Sequence, residues 1–176
     1  MRYLILSLLF ITSTVYSQKK FPEIDTFGGV FPVPEAEKLV NPNQKYKIMF
    51  DITEAEKDQE KNMNHAYELV ARVINLYGEA GVKKENLDLV VVIHFEATPT
   101  ILSDEAFETE YKTKNPNTEV INKLGENGVK FYVCGQSLRA RKLVDYKKNS
   151  YIKVAHGALL ALSHFQNEGY SLLKLH

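Results

Sequence analysis

Short apolar runs recur along the chain from residue 46 onward, rich in the β-branched and aromatic residues that favour strands. The run LDLVVVIHF at 87–95 is almost continuously apolar, which is typical of a parallel strand covered on both faces. Together these runs predict five strands, at 46–53, 87–95, 129–134, 151–155 and 170–175.

Amphipathic segments separate the predicted strands. In DQEKNMNHAYELVARVINLYGEAG (58–81) apolar residues recur at helical spacing, and Gly81 stands where helices commonly end. Further helices are predicted over 104–111, 118–126, 137–146 and 156–169, the first three with candidate caps at Ser103, Asn117 and Ser137.

The alternation of strands and helices with short connections predicts an α/β fold. It indicates a sandwich in which helices cover a mostly parallel five-stranded sheet. Within that sheet the run at 87–95 is expected to be an interior strand, since both of its faces need cover.

The first residues, MRYLILSLLFITSTVYS, have the pattern of an export signal at 1–17. Arg2 gives a short positive region, 4–11 is apolar, and small residues near Ser17 suit cleavage there. The apolar run is short for a membrane span, so the mature chain is expected to be periplasmic or otherwise exported, without stable membrane insertion. The alternative is an uncleaved anchor.

Residues 18–44 contain four prolines and a Gly-Gly pair without a sustained helical or strand period. They predict an extended leader that precedes a domain at 45–176. Phe21, Phe27, Phe31 and Val33 recur among the prolines, which is unusual for a solvated linker. The leader is therefore expected to pack on the domain or on a neighbouring subunit.

Charge and motifs exclude several function classes. The 22 basic and 22 acidic residues balance, so no overall positive field favours nucleic acid. No GxGxxG follows the first strand and no GxxxxGK[ST] is present, so the usual nucleotide signatures are missing. The single cysteine, Cys134, excludes a disulfide redox pair within the chain.

Polar residues with useful chemistry follow the predicted strands. In parallel sheets, ligands and catalysis gather beyond the carboxyl ends of strands, near helix N-termini. These ends carry Asp51 and Thr53, His94 and Glu96, Cys134 to Ser137, and His156 with Gly157. A thiol, two imidazoles and two carboxylates are thus expected on one rim of the sheet.

Cys134 has two interpretations. It ends an apolar strand just before a predicted helix, where the helix dipole and the nearby Arg139, Arg141 and Lys142 would favour a reactive thiolate. The alternative is a buried apolar filler, a common role of free cysteine. Gly135 is expected to allow a sharp turn after the thiol.

Residues around Cys134 form the candidate binding set. A thiolate and imidazoles suit zinc or copper, but the chain has no short ligand spacing such as CxxC or HExxH, so no metal and no cofactor are expected. His94 and His156 could contact an anion or satisfy local backbone groups. The predicted substrate-binding residues are His94, Gly135, Gln136, Ser137, Arg139 and His156.

Five stretches resemble the DsrE/DsrF-like family of small sulfur-relay proteins, including its exported members. They are YKIMFDIT, NMNHAYELVARVINLYGEAG, LDLVVVIHFEATPTIL, NGVKFYVCGQSL and VAHGALLALSHFQNEGYSLLKL, which cover about residues 45–175. The resemblance implies a Rossmann-like three-layer α/β/α sandwich and a homo-oligomer, commonly a trimer or hexamer. It also implies that Cys134 accepts sulfur as a persulfide and passes it on.

The resulting expectation is an exported sulfur carrier with Cys134 as the catalytic residue. Its partners would be sulfur donor and acceptor proteins or small sulfane-sulfur compounds. The alternatives are a non-catalytic module that binds a small ligand at the same rim, and an oligomeric structural module of the same fold.

Overall fold

The computed structural model describes residues 18–175 and contains one five-stranded sheet. Its strands are β1 Tyr46–Ile52, β2 Leu87–Ile93, β3 Lys130–Cys134, β4 Ile152–Ala155 and β5 Ser171–Leu175. They are hydrogen-bonded in the order β4-β3-β2-β1-β5, and every pair is parallel. The predicted α/β fold is confirmed, and the long apolar run is the central strand.

Five α-helices and two 3₁₀ segments connect the strands. The helices are α1 His65–Glu79, α2 Asp104–Tyr111, α3 Thr118–Glu126, α4 Gly135–Ala140 and α5 Ala158–Asn167, and the 3₁₀ segments are Lys84–Asn86 and Phe95–Ile101. Across the described residues, no helix is both long and apolar enough to cross a bilayer.

The strand order determines which face each helix covers. From β1 to β4 the chain steps across the sheet in one direction, and it then returns past β1 to form β5. Parallel crossovers are almost always right-handed, so a connection that runs the opposite way lies on the opposite face. Helix α5 therefore covers the face that α1 and α3 leave open.

Each face of the sheet has its own apolar core. The larger core joins α1 and α3 to alternate strand residues such as Phe50, Val91 and Phe131. The smaller core lies under α5 and consists of Met49, Val90, Val92, Cys134, Ala158, Ala161 and Tyr170. Because strand side chains alternate between faces, the thiol at the end of β3 lies on the face that α5 covers.

Helix α1 starts later than predicted, and α3 starts where it was predicted but is capped differently. Helix α1 begins at His65 rather than at 58, because the buried Asn64 accepts a hydrogen bond from the Ala66 amide and caps it there. Asn117 stands at the start of α3 as predicted, but its side chain does not cap that helix. Its Oδ1 accepts a hydrogen bond from the Asn64 amide instead.

The helix predicted at 137–146 is shorter and starts earlier. Helix α4 spans Gly135–Ala140, and its cap is Cys134 rather than Ser137. Helix α5 likewise begins at Ala158, after Gly157, rather than at 156. The 3₁₀ segment Phe95–Ile101 was not predicted at all.

The leader packs against α1, as predicted, and of the expected contacts Phe27 is half-buried against the larger core. Ile24 is fully buried, whereas Phe31 and Val33, two of the expected contacts, are exposed. Burial of an isoleucine side chain contributes roughly 2 kcal/mol. Gly28 has a φ of +67°, and a Cβ there would lie 2.1 Å from the Arg72 backbone nitrogen, so only glycine fits this close approach.

Asn75 is the main polar contact between the leader and the domain. Its Oδ1 accepts hydrogen bonds from the Glu23 and Ile24 amides at 2.9 and 2.8 Å. Its Nδ2 donates to the carbonyls of Ile24, Phe27 and Gly28 at 3.0 to 3.1 Å. The side chain is completely buried, so the leader's backbone groups depend on it.

Substitution Asn75→Ala is expected to lower the free energy of unfolding by about 3 kcal/mol, because it leaves several buried backbone groups without partners. Urea denaturation followed by circular dichroism measures the change. Asn86→Ala is the matched control, since it removes an exposed bond to the leader at the Pro42 carbonyl and is expected to cost under about 1 kcal/mol. Equal effects of the two substitutions would contradict the role assigned to Asn75.

Candidate functional site

The Cys134 thiol lies at the carboxyl end of β3, between the first turns of two helices. It caps α4, and the Ser137 amide donates to its Sγ at 3.4 Å. The residue is 5% exposed. On the other side α5 begins at Ala158, whose amide also donates toward the sulfur.

Hydrogen bonding offsets the effect of burial on the thiol. Burial, the largest single influence, raises the pKa of Cys134. Donation from the Ser137 hydroxyl, and from the backbone amides of Ser137, Ala158 and Gln136, together lowers it by more. The pKa of Cys134 is therefore below its ordinary value, and the thiolate is favoured.

Gly135 lies where the chain turns directly from β3 into α4, and its lack of a side chain matters for packing rather than for φ. It is the first residue of α4, and its φ is not in the left-handed region. A Cβ at this position would lie 2.9 Å from the Ala155 carbonyl oxygen at the end of β4. Gly135 therefore allows α4 to approach β4 closely, which brings both helix starts to the sulfur.

Two side-chain hydrogen bonds hold the segments around the thiol together. The Gln136 amide group donates to the His156 carbonyl at 3.1 Å, which joins α4 to the loop before α5. The Ser137 hydroxyl accepts from the Phe95 amide at 3.2 Å, which joins α4 to the segment after β2. Gln136 and Ser137 thus connect α4 to the two segments beside it. The side chain of His156 itself is exposed.

His94 forms a buried pair with Asp51. Its Nε2 lies 2.8 Å from the Asp51 Oδ1, and the two residues are 6% and 9% exposed. In the β2–β3 register Ile93 pairs with Val133, so His94 comes next to Cys134 on the neighbouring strand. The structure therefore brings three of the predicted rim residues, Asp51, His94 and Cys134, to one face of the sheet.

Phe95 follows His94 with an unusual backbone. Its φ is +49°, which is strained for a bulky side chain and costs on the order of 1–3 kcal/mol. The ring is 64% exposed, and its centroid lies 4.9 Å from that of the His94 ring. Sequence reasoning missed this residue, because nothing in the local pattern marks a positive φ at phenylalanine.

The basic residues near Cys134 are not gathered around the sulfur. Arg139 lies in the last turn of α4 and is exposed. The Arg141 guanidinium pairs with the Glu96 carboxylate at 2.5 Å. Lys142 is exposed at a φ of +58° after α4 has ended. Backbone amides and the Ser137 hydroxyl, rather than these cations, surround the thiol.

Cavities elsewhere on the surface do not involve Cys134. One of about 530 Å³ lies beyond β1 and is lined by residues 54–56 and 62–66. An apolar groove of about 800 Å³ lies between the leader and the end of α1. Within residues 18–175, no group of three or more histidine, cysteine and carboxylate side chains is arranged to hold a metal ion.

Comparisons with known proteins agree with this architecture. The model of the DsrE/DsrF-like family matches residues 46–175. A protein of unknown function from Methanobacterium thermoautotrophicum, MTH1491, is 20% identical with a TM-score of 0.55, over 74% of this chain and 100% of its own. The ychN protein from E. coli is 16% identical with a TM-score of 0.52, and the match covers 74% of this chain and 99% of the ychN chain. No curated protein matches the chain.

The lowered pKa of Cys134 predicts a pH profile of alkylation. The rate of reaction with iodoacetamide is expected to rise with a midpoint below that of an ordinary thiol, which titrates at about pH 8.5. Ser137→Ala removes the hydroxyl donor and is expected to raise the midpoint. Ser103→Ala, at the start of α2, is the matched control and should leave it unchanged. A midpoint equal to that of free cysteine would contradict the conclusion that the surrounding donors lower the pKa of Cys134.

Proposed function

The chain belongs to the DsrE/DsrF-like family, and we propose that it is an exported sulfur carrier that holds sulfane sulfur as a persulfide on Cys134. The observation that supports the proposal most directly is the convergence of hydrogen-bond donors on the thiol. Amides from the starts of α4 and α5, with the Ser137 hydroxyl, favour the thiolate, which is the nucleophilic form of cysteine.

The chemistry requires no cofactor. The Cys134 thiolate attacks the outer sulfur of a sulfane donor, a new S–S bond forms, and the donor leaves as a thiolate with the electrons of the broken bond. The donors that stabilise the thiolate would also stabilise the negative outer sulfur of the persulfide. A second thiol, on an acceptor protein or a small molecule, then removes that sulfur.

Substrate contacts are proposed for the residues around the thiol. Gly135, Gln136 and Ser137 form the first turn of α4, and Gln136 is exposed beside the His156 carbonyl. His94 borders the site from β2. The exposed side chains of Arg139 and His156 would contact a donor or acceptor at the edge of the site, rather than the sulfur itself.

Homo-oligomerisation, as a trimer or hexamer, is part of the proposal. Apolar residues that water disfavours are exposed on the edge strand β4 and on α5: Val154 on β4, and Leu159 and Leu160 on α5. These residues flank the β4–α5 connection, close to the proposed active thiol. A second copy that packs here would bury them and narrow the approach to Cys134.

Export is proposed from the N-terminal sequence alone. The export signal at 1–17 lies outside the described residues. Cleavage near Ser17 would release a mature chain that begins with the leader. An oxidising compartment is compatible with one unpaired cysteine when the thiol carries sulfur rather than forming an internal disulfide.

One observation favours the alternative of a non-catalytic or structural module. Cys134 is largely buried within the smaller core, where a free cysteine can serve as an apolar filler. In that alternative the rim binds a small ligand or supports an oligomer, and the thiol does not react.

Incubation with polysulfide separates the two functions. Intact-mass spectrometry of the native protein is expected to show a gain of one sulfur atom, and reduction with dithiothreitol should remove it. Cys134→Ser should abolish the gain, because the chain has no other thiol. An unmodified mass, in protein whose thiol is still alkylated after unfolding, would favour the non-catalytic alternative.

The oligomer is tested by light scattering at micromolar concentration. Leu159→Glu places a charge on the exposed side of α5, where Leu159 is 80% exposed, and is expected to reduce the assembly to smaller species. Leu39→Glu is the matched control, since Leu39 in the leader is 85% exposed and lies away from α5. A monomeric parent protein would contradict the proposal.

A further inference from the structure

The buried pair of His94 and Asp51 is not needed for the proposed sulfur chemistry as described so far. Two ionisable side chains removed from water contribute little to stability compared with apolar residues of similar size. Titratable pairs of this kind, near a reactive group, are more typical of functional sites. The position of the pair relative to Cys134 suggests what it does.

The strand register makes His94 and Cys134 neighbouring residues at the ends of β2 and β3. Ile93 pairs with Val133, so the following residues, His94 and Cys134, are neighbours on strands that lie about 4.8 Å apart. Both side chains point to the face covered by α5, since Val92 and Cys134 belong to the smaller core and side chains alternate. The Phe95–Ser137 hydrogen bond keeps these strand ends together.

Asp51 determines which ring nitrogen of His94 carries the proton. A carboxylate only accepts hydrogen bonds, so Nε2, at 2.8 Å from the Asp51 Oδ1, must be the donor. In the neutral ring Nδ1 is then the acceptor. Among the described residues no hydrogen bond involves the His94 Nδ1. This nitrogen is also not one of the fully buried side-chain atoms that lack a hydrogen-bond partner.

We propose that His94, oriented by Asp51, is the proton acceptor for the Cys134 thiol and returns that proton to the leaving group. No direct hydrogen bond joins the two side chains among the described residues, so the proton passes through one water molecule or after the site tightens on substrate. Asp51 is a positioning residue that also stabilises the imidazolium. The inference rests on the proposed sulfur-carrier function.

The complete step balances without an external oxidant or reductant. The donor is a low-molecular-weight hydropersulfide, R–S–SH. His94 takes the thiol proton, the thiolate forms a bond to the outer sulfur of the donor, and the S–S bond of the donor breaks. The departing R–S⁻ takes the electron pair and then the proton from His94, which gives R–SH and the Cys134 persulfide.

Other charged groups around the pair are already compensated or exposed. Lys174 on β5 pairs in register with Asp51 and is exposed. Glu96, two residues after His94, is neutralised by Arg141 from α4. The exposed His156 side chain precedes α5. Asp51 is the charged group that contacts the His94 ring.

The proposal predicts the sign of one measurable change. A carboxylate that acted on the thiol only through its charge would disfavour the thiolate, so its removal would lower the pH midpoint of alkylation. A carboxylate that acts through His94 favours the thiolate–imidazolium pair, so its removal raises that midpoint. Charge alone and action through His94 therefore give opposite results for Asp51→Asn.

The experiment measures iodoacetamide alkylation of Cys134 against pH in the folded full chain. Asp51→Asn and His94→Gln are each expected to raise the midpoint by about one pH unit, which slows alkylation at pH 6.5 by up to roughly tenfold. Asp88→Asn and His164→Gln are matched controls: Asp88 lies at the opposite end of β2, paired with Lys130, and His164 is exposed on α5. A lowered or unchanged midpoint in Asp51→Asn would overturn the proposal.

A second measurement uses the unsubstituted protein, in case either variant fails to fold. Long-range ¹H–¹⁵N spectra at neutral pH are expected to show His94 protonated at Nε2, with an Nδ1 signal that moves when Cys134 is alkylated. A ring protonated at Nδ1 alone, or an Nδ1 signal that does not respond, would contradict the proposal.

The two proposals fail in distinguishable ways, because alkylation does not require sulfur transfer. If the expected shifts occur but a hydropersulfide adds no sulfur, the His94–Cys134 coupling stands and the carrier function fails. If sulfur is added but the Asp51→Asn shift is absent or reversed, the carrier function stands and the role of the pair is wrong.

Discussion

The return of the chain from β4 across the sheet to β5 is the constraint on which the site depends. Right-handed crossovers require this connection to lie on the face that α1 and α3 do not cover. Helix α5 consequently starts beside the end of β3 and directs its first amide toward Cys134. Without the reversal, the thiol would have one helix start near it and an uncovered apolar sheet behind it.

The environment of Cys134 reconciles burial with reactivity. Removal from water opposes ionisation, yet fixed amide donors replace the lost hydration and require no reorganisation when charge develops. The sequence suggested that Arg139 and Arg141 would supply this stabilisation. The structure instead pairs Arg141 with Glu96 and places Arg139 on the exposed surface, so the donors around the thiol are neutral dipoles.

The leader shows how a segment without regular secondary structure becomes part of the fold. Ile24 supplies apolar burial, and Asn75 provides partners for five backbone groups that would otherwise be buried without hydrogen bonds. Close approach at Gly28 makes this possible, because the leader backbone contacts that of α1 directly. The expected anchors Phe31 and Val33 line the apolar groove between the leader and α1 instead.

Local apolar patterns were sufficient to predict the strands, the mostly parallel α/β class and the polar residues at the strand ends. The sequence also identified Cys134, since a lone thiol at a strand end is visible without coordinates. Strand order, the pairing of Asp51 with His94 and the hydrogen bond of the left-handed Phe95 to Ser137 could not be predicted. Each joins groups far apart in the chain that meet only when the sheet assembles, and no local pattern encodes such contacts. The cap at Cys134 is local, but cysteine is not among the residue types that mark a helix start in a sequence.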